Sequence, residues 1–134
     1  MAKLSIVEGI GETYEAKLKA AGVKSLEAML AACATKKGRT ELAEKADVSE
    51  KLILKWANHA DLMRIKGIGG EYSELLEAAG VDTVPELSKR KAENLFKKMQ
   101  ETNDLKSLVR KLPTEAQVAD WIKQAAALPR ILQY

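Results

Sequence analysis

The feature that most constrains this chain is an internal repeat. Gly9-Ile10-Gly11 recurs as Gly67-Ile68-Gly69 at an offset of 58 residues, and the fifteen positions from Gly9 to Val23 hold nine identities with their counterparts. Tyr14 meets Tyr72, Leu18 meets Leu76, and Ala20-Ala21-Gly22-Val23 meets Ala78-Ala79-Gly80-Val81. Ser25 then faces Thr83, two interchangeable helix N-caps. Further along, Ser49-Glu50, Ile53, Trp56 and Ala60 match Thr114-Glu115, Val118, Trp121 and Ala125 at an offset of 65, so the second copy has gained seven residues in between. Self-similarity of this kind marks one supersecondary unit used twice, here over 1–63 and 64–134. A unit of about 65 residues buries too little surface to be more than marginally stable alone. The two are therefore expected to pack as one compact body with a pseudo-two-fold relation.

Within each unit the apolar residues follow a helical period. Tyr14, Leu18 and Ala21 share a face, as do Leu26, Met29, Leu30 and Cys33. Leu52, Trp56, Ala60 and Met63 form another stripe, then Leu105, Leu108, Val109 and Leu112, then Val118, Trp121, Ile122 and Ala125. No alternating, β-branched run competes. Gly22 and Gly80 read as residues just past helix ends, Thr83 to Glu86 and Thr114 to Gln117 as capping boxes, and Pro129 as the stop after the last helix. The expected fold is all-α, with about eight to ten short helices.

Composition narrows the function. No run of about 18 apolar residues is present, and Met1 to Ser5 lacks the apolar core of a secretory signal, so no membrane partner is expected and the expected address is the cytoplasm. One cysteine and one histidine cannot make a zinc site of the Cys/His kind, and no metal ligand set is expected. Cys33 completes an apolar stripe and reads as a small core residue; His59 would serve as a base only opposite a nucleophile, and none is evident. The net charge is only +3. Any grip on nucleic acid must come from local geometry rather than bulk charge.

The Gly-Ile-Gly turns supply such geometry. Two glycines permit a tight turn with positive φ, the intervening Ile10 or Ile68 buries itself between the flanking helices, and the amides of the turn and of the next helix's first turn point outward at the positive end of a dipole. At this point the chain resembles the helix-hairpin-helix family, through Ile6-Val7-Glu8-Gly9-Ile10-Gly11 with Leu18 and Gly22-Val23, and again through Ile65-Lys66-Gly67-Ile68-Gly69 with Leu76 and Gly80-Val81. Over nearly its whole length it resembles an uncharacterised family of paired helix-hairpin-helix units, a domain of unknown function. The residues carrying that likeness are the two turns, Gly38-Arg39-Thr40-Glu41-Leu42-Ala43, Trp56 with Ala60-Asp61-Leu62-Met63-Arg64, and Leu112-Pro113-Thr114 leading to Trp121-Ile122. The resemblance implies a duplicated, SAM-like all-α fold. It also implies contact with the sugar-phosphate backbone of double-stranded DNA or another nucleic acid, weak and non-specific, in some members with a monovalent cation at the hairpin and otherwise no cofactor. Other members serve in protein contacts alone.

The candidate nucleic-acid-binding residues are thus Gly9, Ile10, Gly11, Gly67, Ile68 and Gly69, joined by two basic clusters between the second and third helices of each unit: Lys36, Lys37 and Arg39, and Lys89, Arg90 and Lys91. Each cluster taken alone reads first as a solvated loop, and only the matched pair suggests a backbone-gripping surface. Lys106, Arg110 and Lys111 are expected on one side of a helix, extending the second patch. Where members that grip phosphate carry Lys or Arg after the second glycine, this chain has Glu12-Thr13 and Gly70-Glu71, which suit a helix N-terminus but repel an anion. Trp56 and Trp121 read as core anchors, with Tyr14 and Tyr72 packed beneath the hairpins. Two functions remain open: a non-enzymatic module holding nucleic acid by its phosphates, and a protein-interaction or assembly module.

Overall fold

The computed structural model describes residues 3–134, and these are helical, with eight α-helices, one 3-10 turn and no strand among them. Two compact units emerge: one runs up to Asp61 and takes back Ile131–Tyr134, and the other is Leu62–Arg130. The first contains the 3-10 turn Leu4–Ile6, α1 (Glu12–Ala20), α2 (Leu26–Cys33), α3 (Lys36–Ala46) and α4 (Glu50–Leu62) up to its last residue, Leu62, which begins the second. The second contains α5 (Gly70–Ala78), α6 (Val84–Ser88), α7 (Ala92–Lys106) and α8 (Glu115–Ala127). The starts of α1 and α5 lie 58 residues apart and those of α4 and α8 lie 65 apart, so both sequence offsets reappear as element spacings.

The local signals work through identifiable bonds. Gly22 (φ +94°) and Gly80 (φ +95°) sit just past α1 and α5. Val23 N–H reaches back to the Leu18 carbonyl at 2.9 Å, as Val81 N–H does to Leu76 at 2.8 Å, closing the same Schellman turn in each unit. Ser25 Oγ caps α2 by accepting from Ala28 N–H, and Thr114 with Gln117 forms a complete capping box on α8. At Thr83 the box does not close. Glu86 there accepts from Asp82 N–H and from the Thr83 hydroxyl instead.

Two stretches differ from the sequence expectation. Thr35 Oγ1 accepts from Gly38 N–H at 3.1 Å, which starts α3 at Lys36, so Lys36, Lys37 and Arg39 belong to the first turns of a helix rather than to a loop. The apolar stripe from Leu105 to Leu112 is not a helix. α7 stops at Lys106 with Ser107 in the left-handed region (φ 51°), and the Asn103 side chain then holds Val109 at both its N–H (2.9 Å) and its carbonyl (3.2 Å). That amide clamp turns the chain back, leaving Leu105 87% exposed while Val109 is buried.

In the second unit α6 and α7 lie against α8, and α5 lies against α7. Trp121 sits among Leu75, Leu76, Leu87, Leu95 and Met99, all essentially without solvent contact. Each such aliphatic side chain contributes about 1.5–3 kcal/mol on burial. In the first unit α2 and α3 approach so closely that a Cβ on Gly38 would lie 2.2 Å from the Ala32 carbonyl oxygen. Cys33 is fully buried near Arg39, whose Nη1 donates to the Cys33 carbonyl at 2.9 Å. Burial raises its thiol from 9.0 to about 12, with the Arg39 charge opposing in smaller part.

Two outcomes follow from this packing. An unobstructed Gly→Ala change inside a helix stabilises by up to about 1 kcal/mol. Gly38→Ala should instead lower the urea midpoint, by an equivalent of about 1–3 kcal/mol, and a raised midpoint would contradict the close crossing. The Cys33 contribution to stability is complete below the unfolded thiol's value of 9.0 and is lost as the pH rises toward about 12, because the unfolded chain releases its proton first. Cys33→Ala should therefore flatten the alkaline decline seen in wild type, measured as urea midpoints from neutral into alkaline pH.

Candidate nucleic-acid interface

Each Gly-Ile-Gly turn is built on three apolar residues spaced by three. Val7 N–H donates to the Leu4 carbonyl at 3.0 Å and Ile10 N–H to Val7 at 3.1 Å; Ile65 donates to Leu62 at 3.1 Å and Ile68 to Ile65 at 3.2 Å. All six side chains are buried, so the repeat extends upstream of the glycines through the identical pair Leu4 and Leu62 and the conservative pair Val7 and Ile65. The first glycine of each turn has positive φ, +92° at Gly9 and +100° at Gly67. It also backs onto an indole. A Cβ would stand 3.6 Å from Trp56 Nε1 at Gly9 and 2.8 Å from Trp121 Nε1 at Gly67. The tyrosine rings close the same sandwich, Tyr14 at 5.0 Å from Trp56 and Tyr72 at 5.3 Å from Trp121.

This packing leaves the turn's donors outward. Gly11 and Gly69 occupy the N-cap positions of α1 and α5, and a glycine has no side chain with which to cap. Among the described residues, no internal partner takes the N–H groups of Gly11, Glu12, Thr13 and Tyr14, or of Gly69, Gly70, Glu71 and Tyr72. Gly9, Gly11, Gly67 and Gly69 are exposed, while Ile10 and Ile68 are buried as the sequence requires. Four oriented donors at the positive end of a helix suit an oxyanion.

The two turns differ at their mouths. Beside the second lies a pocket of about 360 Å³ lined by Gly67, Gly69, Gly70, Glu71, Tyr72, Arg110 and Lys111. Tyr72 Oη donates to the Lys111 carbonyl at 2.9 Å, which fixes the segment after α7 across the hairpin. Arg110 and Lys111 are therefore not on a helix with Lys106, and the longer segment after α7 places them beside the turn instead. The Glu71 carboxylate in the same lining offsets one of these two charges. From behind, the Gln124 side-chain amide clasps Lys66, accepting from its N–H at 2.9 Å and donating to its carbonyl at 3.1 Å. The first turn bears Glu8 and Glu12, both exposed.

The basic clusters divide by residue type. Lys36, Lys37, Lys89 and Lys91 are exposed and available. Arg39 is only 5% exposed: besides its bond to Cys33, its Cζ stands 5.3 Å over the Tyr134 ring. It is a buried structural cation, not an exposed phosphate contact. Arg90 is half-buried and donates to the Gly80 carbonyl at 3.0 Å, supporting the end of α5. Trp56 and Trp121, at 1% and 2% exposure, are core anchors with no free face for a base. His59 is fully buried in α4 and offers nothing to a substrate. Among the described residues no group of three or more His, Cys, Asp or Glu could hold a metal ion, and no helix is long and apolar enough to cross a membrane.

Residues 8–128, spanning both Gly-Ile-Gly turns and both tryptophans, match a family described as a domain of unknown function (DUF4332), and the chain belongs to that family. No curated protein and no solved structure matches it.

The fit of glycine on indole sets an order between two variants. Forcing a non-glycine residue into the left-handed region costs about 1–2 kcal/mol. Gly9→Ala should lose that much, and Gly67→Ala more, because its new methyl group also collides with Trp121. Thermal unfolding of the two variants checks the order; equal losses would contradict the tighter seat at Gly67.

Proposed function

We propose that this chain is a non-enzymatic nucleic-acid-binding module, each unit acting as a helix-hairpin-helix element that grips the phosphate backbone without reading sequence. The observation that carries this is the second hairpin: four outward main-chain donors, Gly69 to Tyr72, beneath Arg110 and Lys111 in one pocket. A phosphate oxygen placed there would receive several N–H bonds and two nearby cations, and the exposed Lys89 and Lys91 would add charge from the same unit. The first hairpin offers the same donors behind a carboxylate rim, with Lys36 and Lys37 exposed elsewhere in its unit, so its contribution is the smaller one.

Few cations are offered, so affinity should be weak and its salt dependence shallow. A fluorescence-anisotropy titration with a labelled duplex at two salt concentrations tests this. The double variant Arg110→Glu/Lys111→Glu should weaken binding by about tenfold or more, the scale of losing two charge-assisted contacts. Undiminished binding by that variant, or none by wild type at low salt, would remove the nucleic-acid reading. The exposed acids Glu8 and Glu12 favour a second reading, in which the first hairpin meets a basic protein surface. Salt-sensitive capture of a basic protein partner, lost in Glu8→Lys/Glu12→Lys, would support it.

A further inference from the structure

The two units differ beside the end of their first helix. Gly22 and Gly80 hold the same place in the repeat and the same backbone conformation, φ +94° and +95°. Beside Gly80 the space is taken: Arg90 Nη2 would stand 3.3 Å from a Cβ there, and it donates to the Gly80 carbonyl at 3.0 Å. Beside Gly22 a Cβ would meet nothing within 4 Å, and among the described residues no donor reaches the Gly22 carbonyl. The cause is the length of the second helix. α6 ends at Ser88, which frees Arg90 to turn back onto α5, whereas α2 runs on to Cys33 and has only Ala31, Ala32 and Ala34 around its last turn.

The first unit is left with a groove of about 460 Å³ where the end of α1 meets α2 and α3, its lining including Gly22, Ala28, Ala31, Gly38, Glu41 and Lys45. Its electrostatics suit a cation. The end of α1 is the negative pole of that helix, and the helix's own last-turn lysines are drawn elsewhere, Lys19 to Glu15 at 3.8 Å and Lys17 to the Asp47 carbonyl at 3.2 Å. Glu41 is exposed and, among the described residues, pairs with no cation. Lys45, one turn further along α3, opposes it in part without pairing with it. A guanidinium can donate to a carbonyl and a carboxylate at once through separate N–H groups of one rigid fork, which a single ammonium point charge does not match.

We propose that this groove receives an arginine side chain from a partner protein, its guanidinium donating to the Gly22 carbonyl and pairing with Glu41, in the place that Arg90 fills from within the second unit. The alanine and glycine walls leave room for the aliphatic stem. No residue is shared with either Gly-Ile-Gly turn, so binding here is independent of any nucleic acid held there. The probe is an acetylated, amidated peptide of sequence glycine-serine-arginine-serine-glycine, titrated into the full chain and followed by amide proton and nitrogen shifts. The same peptide with lysine in place of arginine, equal in charge, is the control. Saturable shifts at Gly22, Val23, Ala32 and Gly38 are expected with the arginine peptide, and little or none there with the lysine peptide. Glu41→Gln should weaken binding by about two- to fivefold, the scale of one exposed ion pair. Ala31→Leu, at an exposed helical position lining the groove, should abolish it. Arg90→Ala should open the matching place in the second unit and add shifts at Gly80 and Val81. Absence of shifts at Gly22 and Gly38 in wild type, equal binding of the two peptides, or binding that survives both Glu41→Gln and Ala31→Leu overturns the proposal. So do shifts centred on Glu8 and Glu12, which would put the peptide at the first turn, or a folded Arg90→Ala variant that gains nothing at Gly80.

Discussion

The seat of a positive-φ glycine on the edge of an indole organises both units. Gly9 on Trp56 and Gly67 on Trp121 place the hairpin directly over the last helix of its unit, and the neighbouring tyrosine fills the remaining side. A side chain at either glycine would meet an unfavourable backbone conformation, and at Gly67 the indole also stands where a Cβ would go. Once the turn is pinned from below, its isoleucine goes inward and its amides go outward. Exposed donors are thus a by-product of core packing. That link between core and surface is why the same residues bear on stability and on any contact with an anion.

The two units share the spacing of their turns and helices and differ in what surrounds each turn. The element spacings of 58 and 65 residues differ because α7 is four residues longer than α3 and the segment after it five residues longer than its counterpart, against two fewer residues ahead of α7. In the second unit that segment is folded back by Asn103 and tied down by Tyr72, which delivers Arg110 and Lys111 to the hairpin. The first unit joins α3 to α4 by a short link with Asp47 in the left-handed region, and Lys17 Nζ donates to the Asp47 carbonyl. One copy is therefore an amide site with cations above it, and the other an amide site with a carboxylate rim. Against a net charge of only +3, this local arrangement decides where an anion would be welcome.

Much of this was legible in the sequence where the cause is local. The helical periods outside Leu105 to Leu112, the C-terminal glycines Gly22 and Gly80 and the Thr114 box each act through residues within a few positions of one another, and each took its expected place. What the sequence hid depends on distant or geometric partners. Leu105 to Leu112 has a good helical stripe, but a single asparagine side chain outbids it by bonding Val109 on both main-chain groups. Arg39 looks like one more exposed cation in Lys36-Lys37-Gly38-Arg39 until the returning C-terminal segment covers it. Ile131–Tyr134 joins the first unit rather than the second, through bonds spanning most of the chain, which periodicity cannot report. The Leu4, Val7, Ile10 ladder was readable, since Leu4 and Ile10 recur as Leu62 and Ile68 and only Val7 needs similarity, to Ile65.

The idea on which the functional reading depends is that the first turn of α5 presents main-chain donors to an oxyanion. Amide proton and nitrogen shifts followed during titration with inorganic phosphate address this residue by residue. Saturable shifts centred on Gly69, Gly70 and Glu71, larger than any at Gly11, Glu12 and Thr13, are the predicted result. Shifts that are absent there, or spread evenly over the exposed lysines without reaching those amides, would contradict it.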